Sequence, residues 1–425
     1  MKKILTLVVA ISVLVTTGLF AQGSNETTSN QKKTVTFWTM SLSPSFDDYL
    51  NGVIEEFETQ NPNVEINWID VPWGDTETRV LTAATSNTLP DVINLNLPFS
   101  QKLAQNDLLI DMNEKASDVK DDYFEGCWNA STYNGKVFAL PWYITSNMVY
   151  YNKALFEQAG LDPNTYPTTF DELYSYAKQI HDKTGAYGYM TFFQDQFIME
   201  ELERMGIRLF NEDFTKAQFN TPQVIAAANY YKKMLDEKLI PSETITSKSG
   251  TGEAIQLYST GELAMFFGGT SHARMIKDNS QEIYNETGVA PQIIGENGKS
   301  NIAVMNIVVP KSSKVLDEAL AFSKFLTNNT NQVKFAKAAG AIVPSTKESL
   351  NDAFFSVSDN TAATEARIMS AKEVSRGTMI FPPMQNWTEI RDAFIEAFAK
   401  AATGNGDASQ LLQAAQDKAN SFLSE

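Results

Sequence analysis

VTFWTMSLSPSFDDYLNGVIEEFETQNPNVEINWIDV, residues 35–71, is the stretch that decides the fold class of this chain. Its first four residues, Val35 to Trp38, are all β-branched or aromatic and predict a strand. Apolar residues then recur at helical spacing from Phe46 to Phe57, behind Ser45 as a candidate N-cap. Val64 to Ile69 follows the alternation of a second strand.

The alternation of strand and helix continues beyond this stretch. A helix is predicted at Thr76 to Thr85 and a strand at Pro90 to Leu95, which extends the series to β-α-β-α-β. Such a series predicts an α/β fold with a mostly parallel sheet and helices on both faces. Ligands of open α/β sheets bind beyond the carboxyl ends of the strands, so the loops that begin at Thr39 and Asn96 are candidate binding loops.

Further helices are predicted from periodicity and capping signals. Thr169 and Glu172 form a capping box, and Gly185 closes the helix that follows it. The other predicted helices are Pro222 to Lys238, Leu316 to Leu326 and Glu389 to Ala402.

The first residues have the layout of a secretory signal peptide. Lys2 and Lys3 precede an apolar run that ends at Phe20, and Ala21 offers a small residue for cleavage. We therefore predict a signal peptide at 1–21 and a polar linker at 22–33. No cysteine stands at the junction to accept a lipid, so we expect an exported protein confined to a periplasm.

Composition and charge exclude several classes of partner. Removing Lys2 and Lys3 with the signal peptide changes the formal charge from −17 to −19. A surface this acidic repels phosphate backbones and anionic lipid heads, which argues against nucleic acid and membrane-surface partners. About four hundred mature residues exceed what one core organises, so two domains are expected. The single cysteine, Cys127, is predicted to be a small buried residue.

Patterns typical of catalysis or metal binding are weak. The two histidines, His181 and His272, stand in no zinc-binding motif, and there is no G-x-S-x-G elbow. The 51 acidic residues allow many carboxylate pairs, so an enzyme acting on saccharides stays open as an alternative. We predict no catalytic residue, metal ion or cofactor.

Aromatic residues placed among amide side chains are the stronger chemical signal. They occur at Trp142-Tyr143, at Phe192 to Phe197 and at Asn386-Trp387-Thr388. A sugar offers an apolar face of C–H groups, which rings can bury, and a rim of hydroxyls, which amides and carboxylates can satisfy. For any one of these aromatic residues, packing in a core is the alternative.

The chain resembles the extracellular solute-binding proteins of ABC importers, in the group that includes maltose-binding protein. The resemblance runs across nearly the whole mature chain and is specific in the order and spacing of its motifs rather than in any one of them. Its markers are Leu89 to Val92, Gly135 to Pro141, Met148 to Lys153, Leu155-Phe156, Gly160-Leu161, Pro167 to Leu173, and Gly261 to Met265 before Gly268-Gly269.

The resemblance implies a type II periplasmic-binding-protein fold, with two α/β lobes and a ligand in the cleft between them. The implied N-terminal lobe comprises 34–142 and 301–344, and the C-terminal lobe comprises 143–300 and 345–425. The chain would cross between lobes near Trp142 to Thr145, near Ser300 and near Pro344.

The resemblance also implies which residues contact the ligand. They are Thr39, Met40, Ser41, Ser43, Trp73 and Asn96 in loops of the first lobe, Trp142 and Tyr143 at the crossing, and Gln194, Asp195, Gln196, Phe197, Gly268, Gly269 and Trp387 in the second lobe. Trp387 is similar to a sugar-stacking tryptophan of the family. Thr270-Ser271-His272 stands after Gly269 where many sugar binders carry a tryptophan, which argues against a long malto-oligosaccharide. Trp73 either supplies the stacking ring that is missing after Gly269 or caps the first lobe.

The implied function is capture of a mono- or short oligosaccharide by hinge closure and its delivery to an ABC importer. The partners would be two permease subunits with their ATPases, and the binding protein itself would be a monomer without enzymatic activity. The same scaffold could instead bind a glycerophosphodiester or a polyol. Polyamine binding would need several carboxylates, and the implied contacts offer mainly Asp195.

Overall fold

The computed structural model describes residues 32–194, 196–246, 251–296, 298–375, 377–381 and 384–424. The predicted signal peptide and most of the predicted linker lie outside the described residues. Lys33, the last residue of that linker, already belongs to the first strand. Within the described ranges no helix combines the length and the apolar character that a membrane span requires.

The strands of the described chain are β1 (Lys33–Met40), β2 (Val64–Val71), β3 (Val92–Asn96), β4 (Thr132–Tyr133), β5 (Lys136–Val137), β6 (Leu140–Asn152), β7 (Met265–Gly269), β8 (Thr287–Ala290), β9 (Ile302–Val308) and β10 (Val343–Pro344). The α-helices are α1 (Asp47–Gln60), α2 (Trp73–Thr85), α3 (Leu97–Gln105), α4 (Met112–Lys115), α5 (Glu125–Ala130), α6 (Lys153–Ala159), α7 (Phe170–Thr184), α8 (Phe197–Arg204), α9 (Pro222–Asp236), α10 (Glu243–Thr246), α11 (Thr251–Ser259), α12 (Ser271–Asn279), α13 (Gln281–Asn285), α14 (Leu316–Leu326), α15 (Asn329–Ala339), α16 (Ala362–Val374), α17 (Trp387–Ala402) and α18 (Ala408–Leu423).

The first lobe is built on β1, which pairs in parallel with β2 and β3. The predicted β-α-β-α-β unit is therefore confirmed. β9 then joins β3 in the antiparallel sense, followed by β6 and β10, so the strand order is β10-β6-β9-β3-β1-β2. The expectation of a mostly parallel sheet is wrong, because the segments that return from the second lobe enter the sheet in the opposite direction.

Strand β6 belongs to both lobes. Its first half, Leu140 to Ser146, pairs with β9, and its second half, Asn147 to Asn152, pairs with β7 and β8. One uninterrupted strand of 13 residues therefore connects the two halves of the molecule.

Separate clusters of buried apolar side chains form the main cores of the two lobes. In the first lobe the Phe37 and Phe322 rings meet edge to face at 5.2 Å. In the second lobe the Phe394 and Phe398 rings stack at 5.4 Å. Each of these fully buried rings contributes about 1.5–3 kcal/mol through removal of apolar surface from water. Cys127 is buried as predicted, and burial raises the pKa of its thiol to about 12.

Capping residues and hydrophobic periodicity predicted the ends of some helices correctly and the starts of others incorrectly. Thr169 caps α7 by accepting a hydrogen bond from the Glu172 N–H, and Gly185 ends that helix at a φ of 78°. Ser45 does not cap α1, which begins at Asp47 without a capping side chain. Helix α2 begins at Trp73, three residues before the predicted start.

Candidate ligand-binding cavity

A cavity of about 280 Å³ lies between the two lobes. The first lobe contributes the start of α2, the end of β3, the first turns of α3 and the first half of β9. The second lobe contributes α8, the start of α17 and the segment before it. The lining residues are Trp73, Asn96, Leu97, Pro98, Gln101, Thr145, Gln196, Glu200, Asn301, Ile302, Ala303, Val304, Met305, Met379, Ile380, Phe381 and Trp387.

The first-lobe wall carries one indole ring and three amides, those of Asn96, Gln101 and Asn301. Trp73 is 49% exposed, and its backbone N–H is held by Ser41 Oγ at 2.7 Å. Asn96 stands at the carboxyl end of β3 and caps α3, because its Oδ1 accepts from the Phe99 N–H at 3.0 Å. Asn96 lines the cavity at the carboxyl end of this strand, the position at which ligands of open α/β sheets bind.

Gln101 connects this wall to the other lobe. Its Nε2 donates to the backbone oxygen of Met384 at 2.9 Å, and the side chain is buried. One of the amides that line the cavity is therefore also a direct hydrogen-bonding contact between the lobes.

The second-lobe wall carries a chain of three polar groups. Trp387 Nε1 donates to Gln196 Oε1 at 3.3 Å, and Gln196 Nε2 donates to Glu200 Oε1 at 2.5 Å. The Trp387 ring lies 5.0 Å from the ring of Phe381, which also lines the cavity, and 6.2 Å from that of Phe210 in the second-lobe core. Trp387 is thus shared between the cavity and the second-lobe core, which combines the two roles that the sequence left open.

Glu200 lines the cavity although the sequence analysis did not propose it. It is only 4% exposed, and burial raises the pKa of its carboxyl to about 7, against the opposing effects of the Gln196 hydrogen bond, the Arg204 charge and the Asn301 amide. A signal for Glu200 existed: Gln196 was proposed as a contact, and residues four apart lie on one face of a helix.

The loop after β1 is placed differently from its prediction. Thr39 is buried, donates to Asp70 Oδ1 at 2.6 Å and accepts from Trp68 Nε1 at 2.7 Å. Met40 is buried in the first-lobe core, Ser41 holds the start of α2, and Ser43 is exposed outside the cavity lining. These four residues support the first lobe and its Trp73 rather than forming the cavity wall.

Trp142 and Tyr143 are also displaced from their predicted role. Trp142 is fully buried and stacks on Phe335 at 4.8 Å, while the Tyr143 ring lies 5.3 Å from the same phenylalanine. Burial raises the Tyr143 pKa well above its usual range. Both rings lie outside the cavity lining and belong to the core alternative; their neighbour on β6, Thr145, lines the cavity instead.

The remaining second-lobe predictions fall outside the cavity lining as well. Gly268 and Gly269 pair with β6, and the Gly269 oxygen accepts from the Tyr150 hydroxyl at 2.8 Å. Phe197 packs in the second-lobe core, and the Gln194 side chain does not reach the cavity wall. Asp195 lies outside the described residues. Of the predicted contacts, the structure therefore brings together Trp73, Asn96, Gln196 and Trp387.

Two α/β lobes joined by a shared strand, with a cavity between them, define the class of type II periplasmic-binding proteins. The family model of the bacterial extracellular solute-binding protein matches residues 43–333, and the chain belongs to this family.

The relatives that the chain resembles are named as binding proteins, and a solved structure among them has the same fold. The chain is 26% identical to the diacetylchitobiose binding protein DasA of Streptomyces coelicolor over 73% of each chain. It is 24% identical to the mannitol-binding protein of Pseudomonas aeruginosa over 85% of this chain and 86% of that one. A crystal structure of a periplasmic-binding protein from Synechococcus sp. MITs9220 superposes with a TM-score of 0.80 at 29% identity, covering 92% of this chain and 99% of that one. The named relatives are binding proteins rather than enzymes.

Proposed function

We propose that this protein captures a mono- or short oligosaccharide between its lobes and delivers it to an ABC importer from the periplasm. The observation that carries the proposal is the pair of tryptophans, Trp73 from the first lobe and Trp387 from the second, on the walls of one cavity. A sugar ring placed between them would bury its C–H faces against indole surface contributed by both lobes.

The polar lining supports a ligand rich in hydroxyl groups. Asn96, Gln101, Gln196 and Asn301 supply amides, each able to donate and to accept, and Glu200 supplies a carboxyl. Hydroxyls leaving water for a buried site need such partners, because each unmade hydrogen bond costs about 1–3 kcal/mol.

The size of the cavity supports a short ligand. Its volume of about 280 Å³ lies just below the usual range of small-molecule sites, which is roughly 300–1,000 Å³. A single sugar or a short oligosaccharide fits this scale better than a long chain. The names of the relatives, a disaccharide binder and a mannitol binder, point to the same range of ligand size.

The two-walled cavity also supports a mechanism of capture. A ligand that contacts both lobes favours the conformation in which all contacts are made, so binding shifts the equilibrium toward closure. Moving such an equilibrium from mostly open to mostly closed requires about 5 kcal/mol, and a micromolar ligand supplies about 8 kcal/mol in total. The closed, monomeric complex would then present the sugar to the permease subunits.

The first experiment is a thermal-shift screen over monosaccharides, disaccharides, oligosaccharides, polyols and glycerophosphodiesters. A ligand of the native state raises the midpoint by mass action, so a sugar should give the largest shift. A shift with mannitol alone would favour the polyol alternative. Chromatography of the incubated sugar then separates binding from catalysis, because accumulating product would contradict a purely binding role.

Trp73→Ala tests the site itself. We expect the affinity for the sugar identified by the screen to fall about tenfold, because a stacked indole contributes about 1–3 kcal/mol of buried area and polarised C–H contact. The midpoint without ligand should stay nearly unchanged, because the ring is half exposed. Isothermal titration calorimetry measures the affinity.

Leu81→Ala is the matched control on the same helix. Leu81 is 37% exposed and lies outside the cavity lining, so its truncation should leave the affinity unchanged. Equal affinities of Trp73→Ala and the unmodified protein would place the sugar elsewhere.

A further inference from the structure

Glu200 differs from every other group on the cavity wall. Among the described lining residues it is the one titratable side chain; the others are apolar side chains, amides, indoles and a threonine. Its oxygen Oε1 is bonded to Gln196, and the residue is almost completely buried. A carboxyl in this position must either remain protonated or find donors for its negative charge.

The positive charge of Arg204 acts on Glu200, but its ion pair is with Glu201. Arg204, one turn further along α8, donates to Glu201 Oε2 at 3.0 Å, and its guanidinium lies 3.8 Å over the ring of Phe267. Glu201 in turn accepts from Thr191 at 2.5 Å and from the hydroxyls of Tyr189 and Tyr231. The Arg204 charge is therefore largely balanced by Glu201 within the second-lobe core.

The other elements around Glu200 bring no charge to it. Glu203, on the same helix, bonds the Leu209 N–H at 2.9 Å and pairs with Arg208, away from the cavity. Asn301, directly before β9, contributes an amide hydrogen bond, and α17 acts through the Trp387 indole and Gln196. The facing residues of the first lobe, Asn96 and Gln101 among them, are uncharged.

Burial without a dedicated cation explains why the Glu200 pKa is raised to about 7. Near neutral pH both forms of the carboxyl are therefore populated. The amides and indoles of the lining offer donors to a ligand, whereas the ionised carboxyl is its strongest acceptor. Hydroxyl donors would stabilise that form through charge-assisted hydrogen bonds, about twice as strong as neutral ones.

We propose that Glu200 binds the ligand as a carboxylate that accepts hydrogen bonds from its hydroxyl groups, so that capture expels a proton from the protein. This inference rests on the proposed function. It makes Glu200 a specificity-determining residue for hydroxyl donors and makes the affinity depend on pH. Each protonated Glu200 carboxyl releases one proton to solvent when it binds, and the carboxylate then accepts hydrogen bonds from the ligand hydroxyls.

The affinity should rise with pH, because the ionised form of Glu200 is the one that binds the ligand. Only the ionised fraction of the free protein is competent, and this fraction rises about tenfold between pH 6 and pH 8 for a group that titrates near 7. The affinity should therefore be about tenfold higher at pH 8 than at pH 6. Calorimetry at pH 7 in two buffers of different ionisation enthalpy should show release of about half a proton.

The experiment measures binding of diacetylchitobiose, mannitol and the best sugar from the thermal-shift screen at pH 6 and pH 8. In Glu200→Gln, which keeps the shape of the side chain, we expect the tenfold difference and the proton release to vanish. At pH 8 its affinity should fall about tenfold, the loss expected for a hydrogen bond to a charged group. Asp75→Asn removes an exposed carboxyl two residues from Trp73 and should keep the full pH dependence.

The outcomes separate this inference from the function on which it rests. Binding with equal affinity at both pH values, tighter binding at pH 6, or an unchanged pH profile in Glu200→Gln would overturn the inference and leave sugar capture standing. Absence of binding by every probe at both pH values would overturn the proposed function and this inference with it. The thermal midpoint of each variant confirms that it is folded.

Discussion

Glu200 and Glu201 are neighbours on α8, yet they meet opposite environments. Glu201 is surrounded by donors from Tyr189, Thr191, Tyr231 and Arg204, and its charge is satisfied inside the lobe. Glu200 has Gln196 as its bonded neighbour on the cavity wall. A buried carboxyl whose hydrogen-bond donors are neutral amides favours its protonated form in the absence of a ligand.

The stability of the ligand-free protein should therefore depend on the ionisation of Glu200. Because the folded-state pKa of this acid is raised from 4.5 to about 7, the folded protein holds the proton more tightly than the unfolded chain. The stability that protonated Glu200 contributes is fully present below pH 4.5 and is lost as the pH rises through 7. Its loss lowers the free energy of unfolding by up to about 3 kcal/mol.

Glu200→Gln should lack this pH-dependent component. We expect the variant to lose less stability than the unmodified protein between pH 5 and pH 8, as measured by urea unfolding at the two pH values. Asp75→Asn, whose carboxyl is exposed, serves as the control and should follow the unmodified protein. Parallel losses in all three proteins would show that Glu200 carries no such penalty.

Single residues were the hardest feature to predict from the sequence. A site of rings among amides was predicted, and four of the predicted residues, Trp73, Asn96, Gln196 and Trp387, line one cavity. The family resemblance implied a ligand contact for Trp142, but its ring packs in the first-lobe core against Phe335. Which face of a strand is buried depends on the side chains that pack against it. The side chain that packs against Trp142 is Phe335, which is far away in the sequence.

At the scale of elements, strong local signals placed helices accurately. The predicted limits of α14 match the structure residue for residue, and α7 has both of its predicted caps. Helix α2 begins early because Ser41, from a distant loop, accepts the Trp73 N–H. A helix end stabilised by a tertiary partner leaves no signal in the local sequence.

Two glycines, Gly52 and Gly188, should respond in opposite ways to substitution by alanine. Gly52, inside α1, has open space around the position of a Cβ, so Gly52→Ala should stabilise the protein by about 0.5–1 kcal/mol. At Gly188 a Cβ would lie 2.2 Å from the Ala177 Cα in α7, so Gly188→Ala should destabilise by about 1–3 kcal/mol. Urea unfolding of both variants measures the difference, and a neutral Gly188→Ala would mean that α7 can shift freely.

At the scale of the whole molecule, the α/β class and the two-lobe fold followed from the sequence, whereas the mixed sheet did not. Local periodicity reports that a segment is a strand and says nothing about the direction in which it enters a sheet. β9 and β10 come from parts of the chain that have already passed through the second lobe, and both pair with β6 in the antiparallel sense. Only the complete path of the chain determines that direction.

A ligand that contacts both walls should make the molecule more compact. We expect a saturating concentration of the bound sugar to lower the radius of gyration measured by small-angle X-ray scattering, because closure brings the lobes together. Trp73→Ala, saturated at a higher sugar concentration, should reach the same compact state, since the loss is one of affinity. An unchanged radius at saturation would contradict capture by hinge closure.

The continuity of β6 has a consequence for how this molecule can be divided. A break after Ser146 would leave Val92 to Asn96 and Leu140 to Ser146 in one fragment and their shared partner, Ile302 to Val308, in the other. Two exposed sheet edges of this kind invite aggregation. Neither half should therefore survive as a separately expressed fragment, and the gene should tolerate circular permutation only at positions away from this strand.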